Sequence, residues 1–323
     1  MRYRRIVLTL FILVLYGNVI VRAQSPGSAE NFYNHGVKLS AKGDWDGAIE
    51  DYTRAIEISS RLIATKRDRA GVWNNTNKFD SESSAEAERI TVIDPLTAMA
   101  YANRGAARFR KHDFAGAIVD LNQAIRINPG LAVAYSARGV ARRAFGDTEG
   151  ALADFDRALS IDRKLAEAYN NRADIRLDSG DIEGAFDDLN RSLALKPRLP
   201  ETHYQLGYAQ IARQDFDGAI ANFDRAIQLR PEMAGAYQGR GTAWMNKGDI
   251  GRSIVDFNRA LELRPDLPYA CMNRGLAFLL QNRDAEAQRD FDRCLVLKPA
   301  LKAELERRIV LAKELRAVKN WPE

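Results

Sequence analysis

The side chains best suited to chemistry in this sequence are three histidines and two cysteines. The histidines are His35, His112 and His203, and the cysteines are Cys271 and Cys294. Imidazole can act as an acid, a base or a metal ligand, and a thiolate as a nucleophile, but each needs a partner at a fixed spacing. The sequence has no HExxH, CxxC, GxSxG, Walker or Rossmann pattern that supplies such a partner. We therefore predict no catalytic, cofactor-binding or metal-binding residues, and a protein that is not an enzyme.

The first 23 residues have the layout of a secretory signal peptide. Three arginines within the first five residues precede an apolar stretch from Ile6 to Tyr16, and the segment ends in Val21-Arg22-Ala23. We predict cleavage after Ala23 and a periplasmic or secreted protein. The alternative is a leader that is retained as a membrane anchor, although its apolar run is shorter than the about 20 residues of a spanning helix.

The net charge of +5 lies mostly in that leader. Four arginines and no acidic residue occur before residue 24, so the rest of the chain is close to neutral. Binding to nucleic acid depends largely on positive charge that faces the phosphates. We therefore predict no nucleic-acid partner, and contact with a membrane only if the leader is retained.

Small residues recur every 34 residues along most of the chain, and they define a repeat. Seven clear repeats span residues 29–62, 98–131, 132–165, 166–199, 200–233, 234–267 and 268–301. Position 8 of these repeats is Gly36, Gly105, Gly139, Ala173, Gly207, Gly241 and Gly275. Position 20 is alanine in six repeats and serine in one, and position 32 is proline in five.

Each repeat is predicted to form two helices. Positions 4, 8 and 11 recur at helical spacing in the first half, and apolar residues follow the i, i+3, i+4, i+7 pattern in the second half. A turn such as Gly43-Asp44 separates the helices, and the proline at position 32 ends the second one. We expect position 8 to face position 20 across an antiparallel helix pair, beside the aromatic or leucine side chain at position 24.

This pattern resembles the tetratricopeptide repeat family. The resemblance covers residues 29–301 and rests on an aromatic residue at position 4, small residues at positions 8, 20 and 27, a mostly aromatic position 24 and the proline at position 32. It implies an all-α fold, a right-handed superhelical solenoid of antiparallel helix pairs. It also implies a non-enzymatic scaffold whose groove binds a protein or peptide partner; a membrane-anchored assembly factor is the alternative if the leader is retained.

Two segments depart from the repeat. Residues 63–97 keep the phase, but Arg67, Ser83 and Ala87 occupy positions that are aromatic or alanine elsewhere. The segment is interpreted as an eroded repeat, or as an extension of the preceding helix past Ser60 with a loop after it. Residues 302–323 are predicted to form a capping helix with a polar outer face, followed by a tail.

Arginine at position 7 and aspartate at position 23 occur together. The five pairs are Arg104 and Asp120, Arg138 and Asp154, Arg172 and Asp188, Arg240 and Asp256, and Arg274 and Asp290. The repeat that has Leu206 at position 7 has Asn222 at position 23. Because antiparallel helices bring these positions to a similar height, we predict ion pairs within or between repeats. The alternative is that the charges are solvated independently.

The family resemblance assigns the groove mainly to positions 2, 5, 9, 12 and 13 of the first helices. The candidate partner-binding residues are Tyr33, Phe109, Arg110, Arg143, Asn170, Asp174, Tyr204, Tyr208 and Met245. Tyr204 and Tyr208 are the first choice, since exposed tyrosine anchors many interfaces; the alternative is that both pack against the neighbouring repeat. The lysine and asparagine with which some family members clamp carboxylates are absent from positions 5 and 9 as a pair, so an acidic C-terminal tail is not the expected ligand.

The two cysteines occupy positions 4 and 27 of the last repeat. Elsewhere these positions hold mostly an aromatic residue and an alanine, which the resemblance places in contact across the helix pair. Two thiols at these sites in an exported protein predict a disulfide between Cys271 and Cys294. The alternative is two buried thiols that act as small apolar side chains.

Overall fold

The computed structural model describes residues 27–76 and 95–318. The leader, with the expected cleavage site after Ala23, and residues 77–94 and 319–323 lie outside these described residues. None of the described helices combines the length and the apolar composition that crossing a bilayer requires.

Fifteen α-helices and no β-strand occur in the described part of the chain. The helices are α1 Ala29–Lys42, α2 Trp45–Thr76, α3 Pro95–Arg110, α4 Phe114–Ile127, α5 Ala132–Phe145, α6 Thr148–Ile161, α7 Ala166–Ser179, α8 Ile182–Leu195, α9 Pro200–Ala212, α10 Phe216–Leu229, α11 Ala234–Lys247, α12 Ile250–Leu263, α13 Pro268–Leu280, α14 Asp284–Leu297 and α15 Lys302–Val318. A single 3₁₀ turn, Pro299–Leu301, precedes α15 among these residues.

The chain divides into two compact units, residues 1–175 and residues 176–323. In the first unit α1 pairs with α2, α3 with α4 and α5 with α6, and in the second unit α9 pairs with α10, α11 with α12 and α13 with α14. Within each unit the second helix of a pair packs on the first helix of the next pair, and successive first helices touch one another. The predicted all-α fold of stacked antiparallel helix pairs is confirmed. We call the surface that the first helices share in each unit the first-helix face.

The turn inside each pair has the same backbone conformation in all seven repeats. Position 15 has a positive φ, and it is a glycine in four repeats and His112, Gln214 or Asn282 in the other three. The aspartate that follows it caps the second helix in most repeats; Asp147, for example, accepts a hydrogen bond from the Gly150 N–H at 2.8 Å. These two adjacent residues end one helix and start the next.

The small residue at position 8 lies against the second helix, as predicted. A Cβ atom added to Gly139 would lie 2.9 Å from Phe155 Cε1 and 3.1 Å from the carbonyl oxygen of Ala151. Both Ala151 and Phe155 are fully buried. Glycine is needed because any side chain at this position would overlap the ring and hold the two helices apart.

The segment of residues 63–97 does not start with a separate helix. α2 continues past Ser60 to Thr76, as in the interpretation with an extended second helix, and α3 begins at Pro95 and packs directly on α2. The part of the segment between these two helices lies outside the described residues.

The last helix, α15, covers the end of the second unit. Leu305 and Ala312 on its inner side join the core formed by α13 and α14. The outer side differs from the expected polar face, because it exposes four apolar side chains, Val310, Leu311, Leu315 and Val318.

Candidate functional site

Four of the predicted arginine–aspartate pairs form within a helix pair. Arg138 Nε and Nη2 donate to Asp154 Oδ2 and Oδ1 at 2.9 and 2.6 Å. The same two-bond geometry joins Arg104 to Asp120, Arg240 to Asp256 and Arg274 to Asp290. The four aspartates are buried, so these charges are not solvated independently. Arg172 and Asp188, the fifth predicted pair, belong to different units.

The arginine at position 7 also reaches the preceding repeat. Its Nη1 donates to the side chain at position 25 there, as Arg138 does to Asn122 Oδ1 at 2.7 Å. Equivalent bonds join Arg104 to Thr53, Arg172 to Asp156, Arg240 to Asp224 and Arg274 to Asn258. We call these five residues the cross-repeat arginines. This contact was not predicted, although every repeat has a hydrogen-bonding side chain at position 25 that could have indicated it.

A second arginine, at position 11, adds further positive charge next to some of the aspartate carboxylates. Arg142 Nη1 donates to Asp154 Oδ2 at 2.9 Å and to the carbonyl oxygen of Gly150 at 3.3 Å. The same arrangement joins Arg108 to Asp120 and Arg176 to Asp188. These contacts were also missed, although arginine at position 11 of three consecutive repeats could have indicated them.

The carboxylates keep the partly buried guanidinium groups charged. The hydrogen bond to Asp256 raises the pKa of Arg240 well above that of an ordinary arginine, although burial opposes the charge. The hydrogen bond to Asp290 raises the pKa of Arg274 in the same way. Such pairs hold helices in register, and they are not the poised acids or bases that catalysis needs.

The three histidines occupy structural positions in three different repeats. His35 takes the place of the position 7 arginine in the first repeat, where its Nδ1 lies against Asp51 Oδ2. His203 Nδ1 lies 2.9 Å from Asn222 Oδ1, and His112 is the residue with positive φ in the turn after α3. Among the described residues, no group of three histidine, cysteine or acidic side chains could hold a metal ion.

The predicted partner-binding residues differ in their solvent exposure. Five of them are buried, with at most 5% of their surface exposed: Tyr33, Phe109, Asn170, Asp174 and Tyr204. Partly exposed side chains belong to Arg110, Arg143, Tyr208 and Met245. Only the second group is exposed enough to contact a partner directly. The first group lies beneath the surface and supports it. The binding role of all nine residues stays a prediction.

In the first unit, both accessible arginines are already engaged. Arg143 forms an ion pair with the buried carboxylate of Asp174, and the Arg110 guanidinium lies 5.1 Å from the centre of the Trp45 ring. Tyr33 accepts a hydrogen bond from Asn103 Nδ2 at 3.1 Å, and burial raises the pKa of its hydroxyl. These contacts fix the side chains before any partner arrives.

In the second unit, Tyr204 and Tyr208 form an aromatic cluster with Phe223. The rings of Tyr204 and Tyr208 meet edge to face at 5.0 Å, and Tyr208 and Phe223 do so at 5.3 Å. A Cβ atom on Gly235 would lie 3.0 Å from Tyr204 Cε2, so Tyr204 packs against the next repeat, as the alternative interpretation expected. Tyr208 is partly exposed and therefore presents the edge of this cluster on the first-helix face.

The predicted disulfide is absent from the structure. Cys271 and Cys294 are free thiols with no exposed surface, and both belong to the apolar core of the second unit. Burial raises the pKa of Cys271, and burial followed by the neighbouring Cys271 raises the pKa of Cys294 to about 11. The two residues act as small apolar side chains, because desolvation disfavours the reactive thiolate.

The fold and this surface define a helical repeat protein with a preorganised face. The family model for the tetratricopeptide repeat matches residues 136–200 and 204–268. These two segments of the chain match tetratricopeptide repeats, in the register that the sequence indicated. This fold is typically a non-catalytic scaffold that binds protein segments. No curated protein matches the sequence.

Solved structures share the fold at low sequence identity. A tetratricopeptide repeat protein from Parabacteroides merdae ATCC 43184 is 18% identical with a TM-score of 0.57, over 88% of this chain and 100% of that one. A chain of the APC/C hetero-tetramer Cut9–Hcn1 is 15% identical with a TM-score of 0.60, over 88% of this chain and 56% of that one. Pseudomonas aeruginosa pilF is 18% identical with a TM-score of 0.53, over 69% of this chain and 97% of that one. At these identities the likeness supports the fold alone.

Proposed function

We propose that this protein is a non-enzymatic scaffold that binds an extended segment of a partner protein on its first-helix face, in the periplasm or outside the cell. The observation that carries the proposal is the aromatic cluster of the second unit. Tyr208 packs edge to face against Tyr204 and Phe223 and is partly exposed. A rigid, half-exposed aromatic side chain loses little entropy on binding, which makes it a good anchor for an interface.

The chemistry around Tyr208 favours a segment without a high charge. The partly exposed side chains on the neighbouring helix α11 at the groove positions are Gln238, Thr242 and Met245, and none of them is charged. Methionine adapts its shape to an apolar side chain, and the amide and hydroxyl can bond a peptide backbone. The expected partner segment therefore places an apolar or aromatic side chain between Tyr208 and Met245.

The test uses purified protein and a random peptide library from which binders are selected. Tyr208→Ala and Met245→Ala should each weaken binding of the selected peptides by at least about tenfold, since anchor residues dominate interface energy. The matched control is Val255→Ala, which removes an exposed apolar side chain from the second helix α12. Loss of affinity in the control but not in the Tyr208 variant would contradict the proposal.

Export is the second part of the proposal and is tested separately. The arginine-rich start and apolar run of residues 1–23 support it. N-terminal sequencing of the protein from its native cell envelope or medium should show a chain that starts at Gln24. A chain that keeps the leader and sediments with membranes would favour the membrane-anchored assembly factor.

A further inference from the structure

The junction between α8 and α9, which joins the fourth and fifth repeats, lacks a cross-repeat arginine. Position 7 of the fifth repeat is Leu206, a buried side chain that has no polar group to offer. The acceptor position is nevertheless kept, because Asn190 occupies position 25 of the fourth repeat. Asn122 and Asn258 occupy the same position in other repeats and accept such bonds there. This junction therefore lacks the position 7 bond that ties the other successive repeats together. Its charged contacts come instead from Arg213, just after α9, which lies 3.4 Å from Glu183 and 4.4 Å from the centre of the Phe186 ring on α8.

The packing at the same junction also differs from that of the other repeats. Ser192 and Thr202 are fully buried there, and they occupy positions 27 and 3. At the next two junctions these positions hold buried alanines, namely Ala226 with Ala236 and Ala260 with Ala270. The hydroxyl groups of Ser192 and Thr202 are 3.4 Å apart, which is long for an O–H···O bond and indicates a weak one.

In the fifth repeat, neutral groups also replace the arginine–aspartate pair of positions 7 and 23, although Arg230 still pairs with Glu201 at the other end of the repeat. Asn222, at the aspartate position, donates from Nδ2 to Gln210 Oε1 at 2.8 Å, and its Oδ1 contacts His203. Neutral hydrogen bonds of this kind are about half as strong as those between an arginine and a carboxylate. The fifth repeat thus holds its own two helices together, and only the contacts of Arg213 at the far end of α9 add a charged link to the fourth repeat.

We propose that the α8–α9 junction is a hinge between the fourth and fifth repeats. Apolar contacts of Leu206 tolerate small rotations, whereas a two-bond arginine pair with a third bond across the junction does not. Rotation at this point moves α9, and with it Tyr208, relative to α8. The proposal concerns motion of the repeat array and is independent of whether Tyr208 binds a partner.

The experiment measures distance distributions by pulsed EPR on the full chain with two spin labels. Position 22 is exposed in these repeats, so labels at Asp187→Cys and Val255→Cys span the α8–α9 and α10–α11 junctions. The matched pair, Ala221→Cys and Arg289→Cys, spans the α10–α11 and α12–α13 junctions. Both are placed in a Cys271→Ala/Cys294→Ala background. We expect a wider distribution for the first pair, and equal widths for the two pairs would overturn the hinge.

A restoring variant separates a hinge from general softness. Leu206→Arg/Asn222→Asp supplies the arginine and aspartate of the other repeats, with Asn190 as the third partner. The width for the first label pair should then fall to that of the matched pair, and amide exchange in α8 and the start of α9 should slow by at least about tenfold. An unchanged width in a variant that is folded by circular dichroism would contradict the proposal.

Discussion

Arg138 on α5 binds the carboxylate of Asp154 on α6 through two hydrogen bonds, at 2.9 and 2.6 Å. The remaining Nη1 of the same guanidinium reaches back to Asn122 on α4. One side chain thus connects three helices from two repeats. Because the guanidinium is planar and presents its donors at fixed angles, it sets the relative position of these helices as well as their contact.

The Arg138–Asp154 pair should show strong coupling in a double-mutant cycle. Asp154→Asn leaves a largely buried guanidinium without its counter-charge, and we expect a loss of about 3–5 kcal/mol in the free energy of unfolding. Asp154→Asn/Arg138→Leu should lose less, because it reproduces the leucine and asparagine of the fifth repeat. Urea denaturation measures both, and losses that simply add would argue against the coupling.

Replacement of the strained turn residues by glycine should stabilise the protein. Gln214 has a φ of 61°, whereas glycine occupies the same turn position as Gly146, Gly180 and Gly248. Since the left-handed conformation costs a residue with a side chain about 1–2 kcal/mol, we expect Gln214→Gly to raise stability by about 1 kcal/mol. The reverse change, Gly146→Ala, should lower it by a similar amount in thermal denaturation, and the same sign for both changes would contradict this account.

Enlargement of position 8 should cost more where an aromatic ring faces the glycine closely than where a leucine does. A Cβ atom on Gly207 would lie 2.6 Å from Phe223 Cζ, whereas one on Gly105 would lie 3.0 Å from Leu121 Cγ. We expect Gly207→Ala to cost about 1–3 kcal/mol through overpacking, and more than Gly105→Ala. Phe223→Leu should partly rescue Gly207→Ala, since the fourth repeat combines Ala173 with Leu189. Chemical denaturation of the three variants ranks them, and an equal cost at both glycines would exclude the ring contact as the cause.

The two thiols should be inert in the folded protein and present in full after unfolding. Without a reductant, a thiol reagent should label neither Cys271 nor Cys294 at neutral pH, and it should label both in denaturant. If neither cysteine reacts after unfolding, the two are joined by a disulfide, which would contradict the free thiols of the structure.

The same burial predicts a loss of stability at alkaline pH. Burial raises the pKa of Cys294 to about 11 in the folded protein, above the 9.0 of an ordinary thiol, so the unfolded chain loses its thiol proton first as the pH rises. Stability should therefore be unaffected by this group below pH 9 and fall between pH 9 and pH 11 by about 1.4 kcal/mol per pH unit. Urea denaturation of Cys294→Ala, which lacks the group, should show a shallower decline, and parallel curves would contradict the assignment.

Local patterns in the sequence were sufficient for the helix pairs and for much of their packing. The spacing of apolar residues gives the helices, and the small residue at position 8 with the ring at position 24 gives the contact within a pair. The co-occurrence of Arg138-type and Asp154-type residues indicated an ion pair, since both lie on helices joined by one short turn. All of these features depend on residues that are close in the chain.

Sequence by itself determined a repeating all-α chain, the turn between the two helices of each repeat and the pairing of arginine with aspartate. Tertiary structure decided the third bond of Arg138 to Asn122, the burial of Tyr204 beside a half-exposed Tyr208, the free thiols of the last repeat and the extension of α2 past Ser60. The physical reason is that these features depend on how far one helix pair rotates and closes against the next. That angle arises from the sum of many weak contacts between residues that are remote in sequence, and no short pattern encodes it.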